Sequence, residues 1–82
     1  MTREETKKLM NEISTLYPRF VSSNEDRKMK VDLWNEVLEK NTYEEIHRGL
    51  IYYASKNPIF PPSPGQLIDE GHDELSDLDF LV

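Results

Sequence analysis

At 82 residues the chain has room for one domain, and a fold of this size buries only about two-thirds of its unfolded surface, enough for one small core but not for a deep enclosed active site as well. With no cysteine and sixteen Asp/Glu against ten Lys/Arg, net charge −6, the composition excludes a disulfide framework, a thiolate nucleophile and a cysteine-based zinc site. It also argues against nucleic acid as the main partner, since phosphate binding needs a basic face.

The chain opens on Thr2-Arg3-Glu4-Glu5, a capping-box pattern in which Thr2 caps the Glu5 N–H and Glu5 reaches back. No apolar signal-peptide core precedes it, and no apolar run in the chain is long enough to span a bilayer. A soluble, cytoplasmic, reducing setting is the expectation. Leu9, Met10, Ile13, Leu16 and Tyr17 recur at helical spacing and form one narrow stripe. Pro18 disfavours helical geometry at Tyr17, so the first helix is expected to end near Leu16 or Tyr17. Phe20 and Val21 are expected to fold back beneath that end.

Ser22, Ser23 and Asn24 are all N-cap candidates for a second helix, with Glu25 and Asp26 placed to favour the positive end of its dipole. Its apolar positions are Met29, Val31, Leu33, Trp34, Val37 and Leu38, which cover about half the circumference of a helical wheel. A helix wetted on so little of its surface is expected to be central, packed on both flanks, with Trp34 its largest burial. Asn41 terminates it. Thr42-Tyr43-Glu44-Glu45 repeats the capping box and opens a third helix. Tyr43, Ile46, Leu50, Ile51, Tyr53 and Ala54 share one broad face, and Tyr52 points away as the one aromatic expected outside the core. Gly49, mid-helix at a cost of about 1 kcal/mol relative to Ala, signals close packing or tolerance.

Four of the five prolines lie in Asn57-Pro58-Ile59-Phe60-Pro61-Pro62-Ser63-Pro64-Gly65, so no helix runs through this stretch. Ser63-Pro64-Gly65-Gln66 is a third capping box, with Pro at the first helical position, and predicts a short fourth helix from Pro64 to about Glu70. That helix carries Leu67 and Ile68, with Gly71 as its stop. No alternating strand pattern appears. The expected fold is all-α: three main helices and a short fourth after the proline-rich loop, as a domain over residues 1–70.

Residues 71–82 differ in kind. Residues 1–68 carry ten Lys/Arg and ten Asp/Glu, whereas Asp69, Glu70, Asp73, Glu74, Asp77 and Asp79 supply the whole net charge without one basic residue. This composition predicts a disordered acidic tail. In a helix, however, Leu75, Leu78, Leu81 and Val82 fall on one face, the pattern of an acidic–hydrophobic segment that folds into a partner's groove.

Chemistry is sparse. Glu44-Glu45-Ile46-His47 holds one Glu-x-x-His, the spacing used twice in di-iron bundles. The second histidine, His72, lies beyond the prolines, and His47 falls within the apolar arc of its helix, so a core-edge histidine with a local hydrogen bond is the better account. The serines sit in no nucleophile motif and three scattered glycines make no phosphate loop. Neither an enzyme nor a bound cofactor or metal is expected. Arg3, Lys7 and Lys8 form one basic group and Arg27, Lys28 and Lys30 another; the second partly fits a helix-turn-helix reader, but Glu25, Asp26 and Asp32 surround it. Tyr52, Arg27 and Lys28 are the candidate contacts on the body.

Tyr17-Pro18-Arg19-Phe20, Asp32-Leu33-Trp34, the run Leu50 to Tyr53 and Phe60-Pro61-Pro62-Ser63 before a short helix occur in an order and spacing that resemble the helicase loader-and-inhibitor proteins of phages of Gram-positive bacteria. The resemblance covers roughly residues 3–70. It implies a small helical N-terminal domain followed by a disordered C-terminal segment, generally longer than the one here, and it makes the expected setting the cytoplasm of the bacterial host. It also implies binding to the hexameric replicative helicase, which is held inactive and delivered to an origin-bound initiator. Helicase binding by the C-terminal segment is carried over to Leu75, Leu78, Phe80, Leu81 and Val82, with Asp77 and Asp79 between them. The competing readings are a small helical DNA-binding regulator using the start of the second helix, and an assembly module that oligomerises through the Tyr52 face.

Overall fold

The computed structural model describes residues 1–71. Among them are four helices and no strand: α1 (Arg3–Leu16), α2 (Asn24–Val37), α3 (Tyr43–Lys56) and α4, residues 64–71. Each start is set by local chemistry. Thr2 Oγ1 accepts from the Glu5 N–H at 3.1 Å while the Thr2 N–H donates to Glu5 Oε1 at 2.8 Å, so both halves of the capping box are present. Of the three cap candidates before α2, Ser23 takes the role through the Asp26 N–H. Asp26 in turn accepts from the Ser22 N–H and from Lys30 Nζ, which stiffens the entry to the helix. Thr42 caps α3 through the Glu45 N–H. At α4 the Ser63 N–H donates to Gln66 Oε1 at 2.8 Å and the Gln66 N–H to Ser63 Oγ at 3.4 Å.

The core is built on α1. Leu9, Met10 and Ile13 have no exposed surface, and α1 packs against both α2 and α3. From α2 and its C-cap come Val31, Trp34 and Leu38, and from α3 Ile46, Leu50 and Tyr53. Phe20 does fold back beneath the end of α1, meeting Trp34 edge-to-face at 5.6 Å between centroids. Thr6, fully buried, sits between α1 and α2 with its hydroxyl 2.9 Å from Asn35 Oδ1.

The expectation of a central α2 is therefore corrected: α1 is the helix with a neighbour on each flank. Met29, Leu33 and Val37, placed in the core from periodicity, are 63, 58 and 53% exposed. Periodicity reports that a face is apolar but not that something covers it. Leu16 and Ile51 are corrected in the same way and for the same reason, as both are about half exposed in the structure.

Gly49 settles as a packing residue. A Cβ built there would lie 2.3 Å from the Leu67 carbonyl oxygen, so the backbones of α3 and α4 cross where only glycine fits. Gly71, read from the sequence as the stop of α4, is itself helical and buried; its own Cβ would sit 3.2 Å from the Glu45 carbonyl oxygen. No described glycine has a positive φ. The two glycines let α4 lie close along α3 and drive Leu67, with no exposed surface, into the core. Gly49→Ala is expected to destabilise the protein by about 1–3 kcal/mol, because the gain in helix propensity is smaller than the cost of a backbone clash. Gly65→Ala, with nothing within 4 Å of the added carbon, serves as the control and should be neutral or slightly stabilising. Urea unfolding of both checks this, and equal stability of the two variants would contradict the crossing.

Candidate functional site

Two tyrosines fix the proline-rich loop. The Tyr17 hydroxyl donates to the Asn57 carbonyl, and the Tyr53 hydroxyl to the Phe60 carbonyl at 2.9 Å. Burial, and then the neighbouring Tyr53, push the Tyr17 phenol above its ordinary range, so it stays a donor across neutral pH. Held at these points, the loop turns Ile59 and Phe60 outward, 76 and 73% exposed. Beside them Leu16, Pro18, Phe20, Pro58 and Pro61 line a shallow apolar cavity of about 220 Å³. The expectation that Tyr52 is the one aromatic outside the core is corrected by Phe60, whose ring the Tyr53 bond cannot bury because it engages only the backbone. Tyr52 itself is half-buried, with Lys56 Nζ 3.9 Å from the centre of its ring. Tyr52 hydrogen bonding, and to a lesser degree Glu70, hold the Lys56 ammonium above the usual lysine range.

The second apolar surface is the outer face of α2. Met29, Leu33 and Val37 follow one another at a spacing of four and form a stripe on the side away from α1. Isolated exposed leucines are ordinary, but a stripe at helical spacing beside a second exposed apolar patch marks an interaction surface.

The third surface is charged. Met1 reaches the Glu39 carbonyl and Thr6 reaches Asn35, so α1 and α2 run antiparallel. This packing brings the two basic groups together, and Arg3, Lys7, Arg27 and Lys28 rim a groove of about 320 Å³ with Asn24 and Val31. Arg3 is 2.6 Å from Asp32 and Lys7 is 3.6 Å from Glu4. No ion pair to a described carboxylate is made by Arg27 or Lys28. The seven C-terminal candidates, Leu75, Asp77, Leu78, Asp79, Phe80, Leu81 and Val82, lie outside the described residues, as does His72.

His47 sits at the edge of the α1–α3 contact, stacked on Tyr43 and 3.3 Å from Glu12 Oε1. The Tyr43 hydroxyl donates to the same carboxylate, 2.6 and 2.7 Å from its two oxygens. No group of three or more metal-ligating side chains converges among the described residues, and no helix there is long and apolar enough to cross a membrane. The geometry offers surfaces, and they suit protein contacts.

Comparison with known proteins assigns that character to a family. The family described as the N-terminal domain of a phage helicase loader/inhibitor matches residues 1–68. The chain belongs to this family. No curated protein and no solved structure matches the chain. The match spans α1 to α3, the proline-rich loop and the first part of α4. The loader/inhibitor fold thus presents two surfaces that sequence reasoning placed elsewhere or passed over, the α2 stripe and Ile59–Phe60. For the second, the signal was available: apolar residues flanked by prolines have no helix in which to bury them.

Tyr43 gives the fold a pH signature. Burial first, then the hydrogen bond and charge of Glu12, hold its phenol well above the ordinary range. A folded-state pKa raised above the unfolded value contributes stability that is complete below about pH 10 and is lost as pH rises through the folded value. Tyr43→Phe should cost about 1–2 kcal/mol at pH 7 and show a shallower loss of stability above pH 10 than the parent protein. Denaturant titrations across that range check it. An unchanged alkaline slope would show that the Tyr43–Glu12 contact is not formed in solution.

Proposed function

We propose that this protein is a non-enzymatic adaptor that binds the hexameric replicative helicase, holds it inactive and helps deliver it to a phage replication origin. The observation that carries the reading is the family match over residues 1–68. The division into a helical domain, residues 1–70, and an acidic–hydrophobic segment, residues 71–82, assigns the work. Leu75, Leu78, Phe80, Leu81 and Val82 order on the helicase, and Asp77 and Asp79 steer the encounter with a basic surface. Ordering on binding gives up conformational entropy, so affinity is moderate and release is ready, which suits a loader that must let go. Steering by acidic charge makes the association sensitive to salt.

The helical body engages a second partner, an origin-bound initiator, and the exposed apolar stripe Met29–Leu33–Val37 is its best-formed candidate face. Tyr52, Arg27 and Lys28 stay as further contacts on the body. The reading assigns no catalytic residue, cofactor or metal, and places the protein in the host cytoplasm. A second reading, a small DNA-binding regulator, draws on the groove that joins Arg3, Lys7, Arg27 and Lys28. It is the weaker one, because two of these four cations are already paired with carboxylates and duplex binding gains affinity from many phosphate contacts at once.

Size-exclusion co-elution with the host's purified helicase tests the proposal. The full chain should co-elute, and a version ending at Gly71 should not. Co-elution retained without residues 72–82 moves the contact to the body; no co-elution of the full chain contradicts the helicase reading. Leu33→Glu, at an exposed site where substitutions change stability by about 0.5 kcal/mol or less, should keep helicase co-elution and weaken retention of the initiator. Unchanged initiator binding would remove α2 from that contact.

A further inference from the structure

The basic groove between α1 and α2 is a built feature that the helicase reading leaves unused. Its four cations come from two groups on different helices, brought together only by the fold, and Val31 gives them an apolar floor. Arg27 is partly buried on the wall of the groove beside Val31. Its charge has no local answer: no described carboxylate forms an ion pair with Arg27 or Lys28, whereas Lys30, close by on the same helix, pairs with Asp26 at 2.7 Å.

The complementary chemistry lies in the same chain. Asp73, Glu74, Asp77 and Asp79 alternate with Leu75, Leu78 and Phe80, and residues 69–82 contain no Lys or Arg to neutralise them. The helical body is charge-balanced, so the groove and this segment are the two places where charge of opposite sign is in excess. The segment is also within reach. Gly71 packs on Glu45, Asn41 Nδ2 is 3.4 Å from Glu45 Oε2, and the Met1 ammonium donates to the Asn41 carbonyl at 2.7 Å, close in sequence to Arg3. The chain therefore leaves α4 near the end of α1 that carries the groove. Residues 72–82 extend to about 36 Å, enough to run the length of one side of a 14-residue helix of about 21 Å and the approach to it.

We infer that the α1–α2 groove is a binding site for an acidic–apolar peptide segment, and that its occupant is residues 72–82 of this chain. Arg27 and Lys28 meet the carboxylates, and Val31 with the stems of Lys7 and Lys28 meets the leucines. An acidic peptide fits better than nucleic acid, because two of the four cations are already paired, the floor is apolar, and Glu4 and Asp32 at the rim repel phosphate. The site does not depend on the helicase. Where the segment also serves as the helicase contact, groove and helicase compete for it, and that consequence alone rests on the reading above.

The absence of cysteine makes the test direct. A nitroxide on Ser76→Cys in the full chain reports its neighbours by NMR line broadening, with no helicase present. The expected result is broadening of the Val31 methyls and of the Lys7 and Arg27 amides, well above that of the Leu33 and Val37 methyls on the opposite face. It should fall by more than about half between about 0.1 M and 1 M salt, as the Debye length shortens from about 10 Å to about 3 Å. Arg27→Glu with Lys28→Glu should abolish it, and Arg27→Gln with Lys28→Gln should reduce it without reversing the charge. Broadening centred on Leu33 and Val37, or none above background, overturns the proposal. Broadening that grows with protein concentration and vanishes on dilution makes a second copy the occupant and also overturns it. So does a spectrum that is unchanged when Asp73, Glu74, Asp77 and Asp79 are neutralised but shifts at the groove with duplex DNA. None of these results depends on whether the helicase binds.

Discussion

Three side chains of α1, Leu9, Met10 and Ile13, have no exposed surface, and both α2 and α3 are placed by packing on them. In a chain this short that choice of hub has consequences everywhere else. Once α1 is covered on both flanks, and α4 closes over α3 through the Gly49 crossing, the described residues hold no further element to cover the outer face of α2. The exposed apolar stripe is what a single small core leaves over, and it is retained at helical spacing. The same economy explains the proline-rich loop. Tyr17 and Tyr53 anchor its backbone, and the side chains of Ile59 and Phe60 are left outside.

How much of this could be read from the residues depends on the range of the interaction concerned. Helix starts are decided within four residues by caps, and Thr2, Thr42 and Ser63 all act as their patterns indicate. The end of α1 at Leu16 follows from Pro18 in the same local way. The apolar stripe of α1 was legible because it is narrow and buried everywhere except at Leu16. For α2 the wheel reported far more apolar surface than the fold uses, and a sequence pattern cannot divide such an arc into a packed half and an open half. Gly49 was visible as an anomaly, but its reason, the Leu67 carbonyl against its Cα, comes from a different helix across the proline-rich loop. Tyr52 does lie outside the buried core, as the wheel indicates; that Lys56 lies over it depends on rotamers that the wheel does not address.

The candidate surfaces divide along the same line. Arg27 and Lys28 were singled out from composition, but their meeting with Arg3 and Lys7 is a property of the α1–α2 packing. Family membership, carried by residues 1–68, connects this small body to helicase loading and inhibition without specifying which face does the work. The physical reading supplies a division of labour. A rigid helical body offers apolar and basic surfaces of fixed shape, and an acidic–apolar segment of opposite charge supplies a contact that forms and releases readily.

That division is tested most directly by hydrogen–deuterium exchange of the full chain with and without the helicase hexamer. The account predicts slowed exchange in residues 72–82 on adding helicase, with the amides of the buried α1 core, already protected by packing, little changed. Slowed exchange confined to the helical body, with residues 72–82 unaffected, would contradict it.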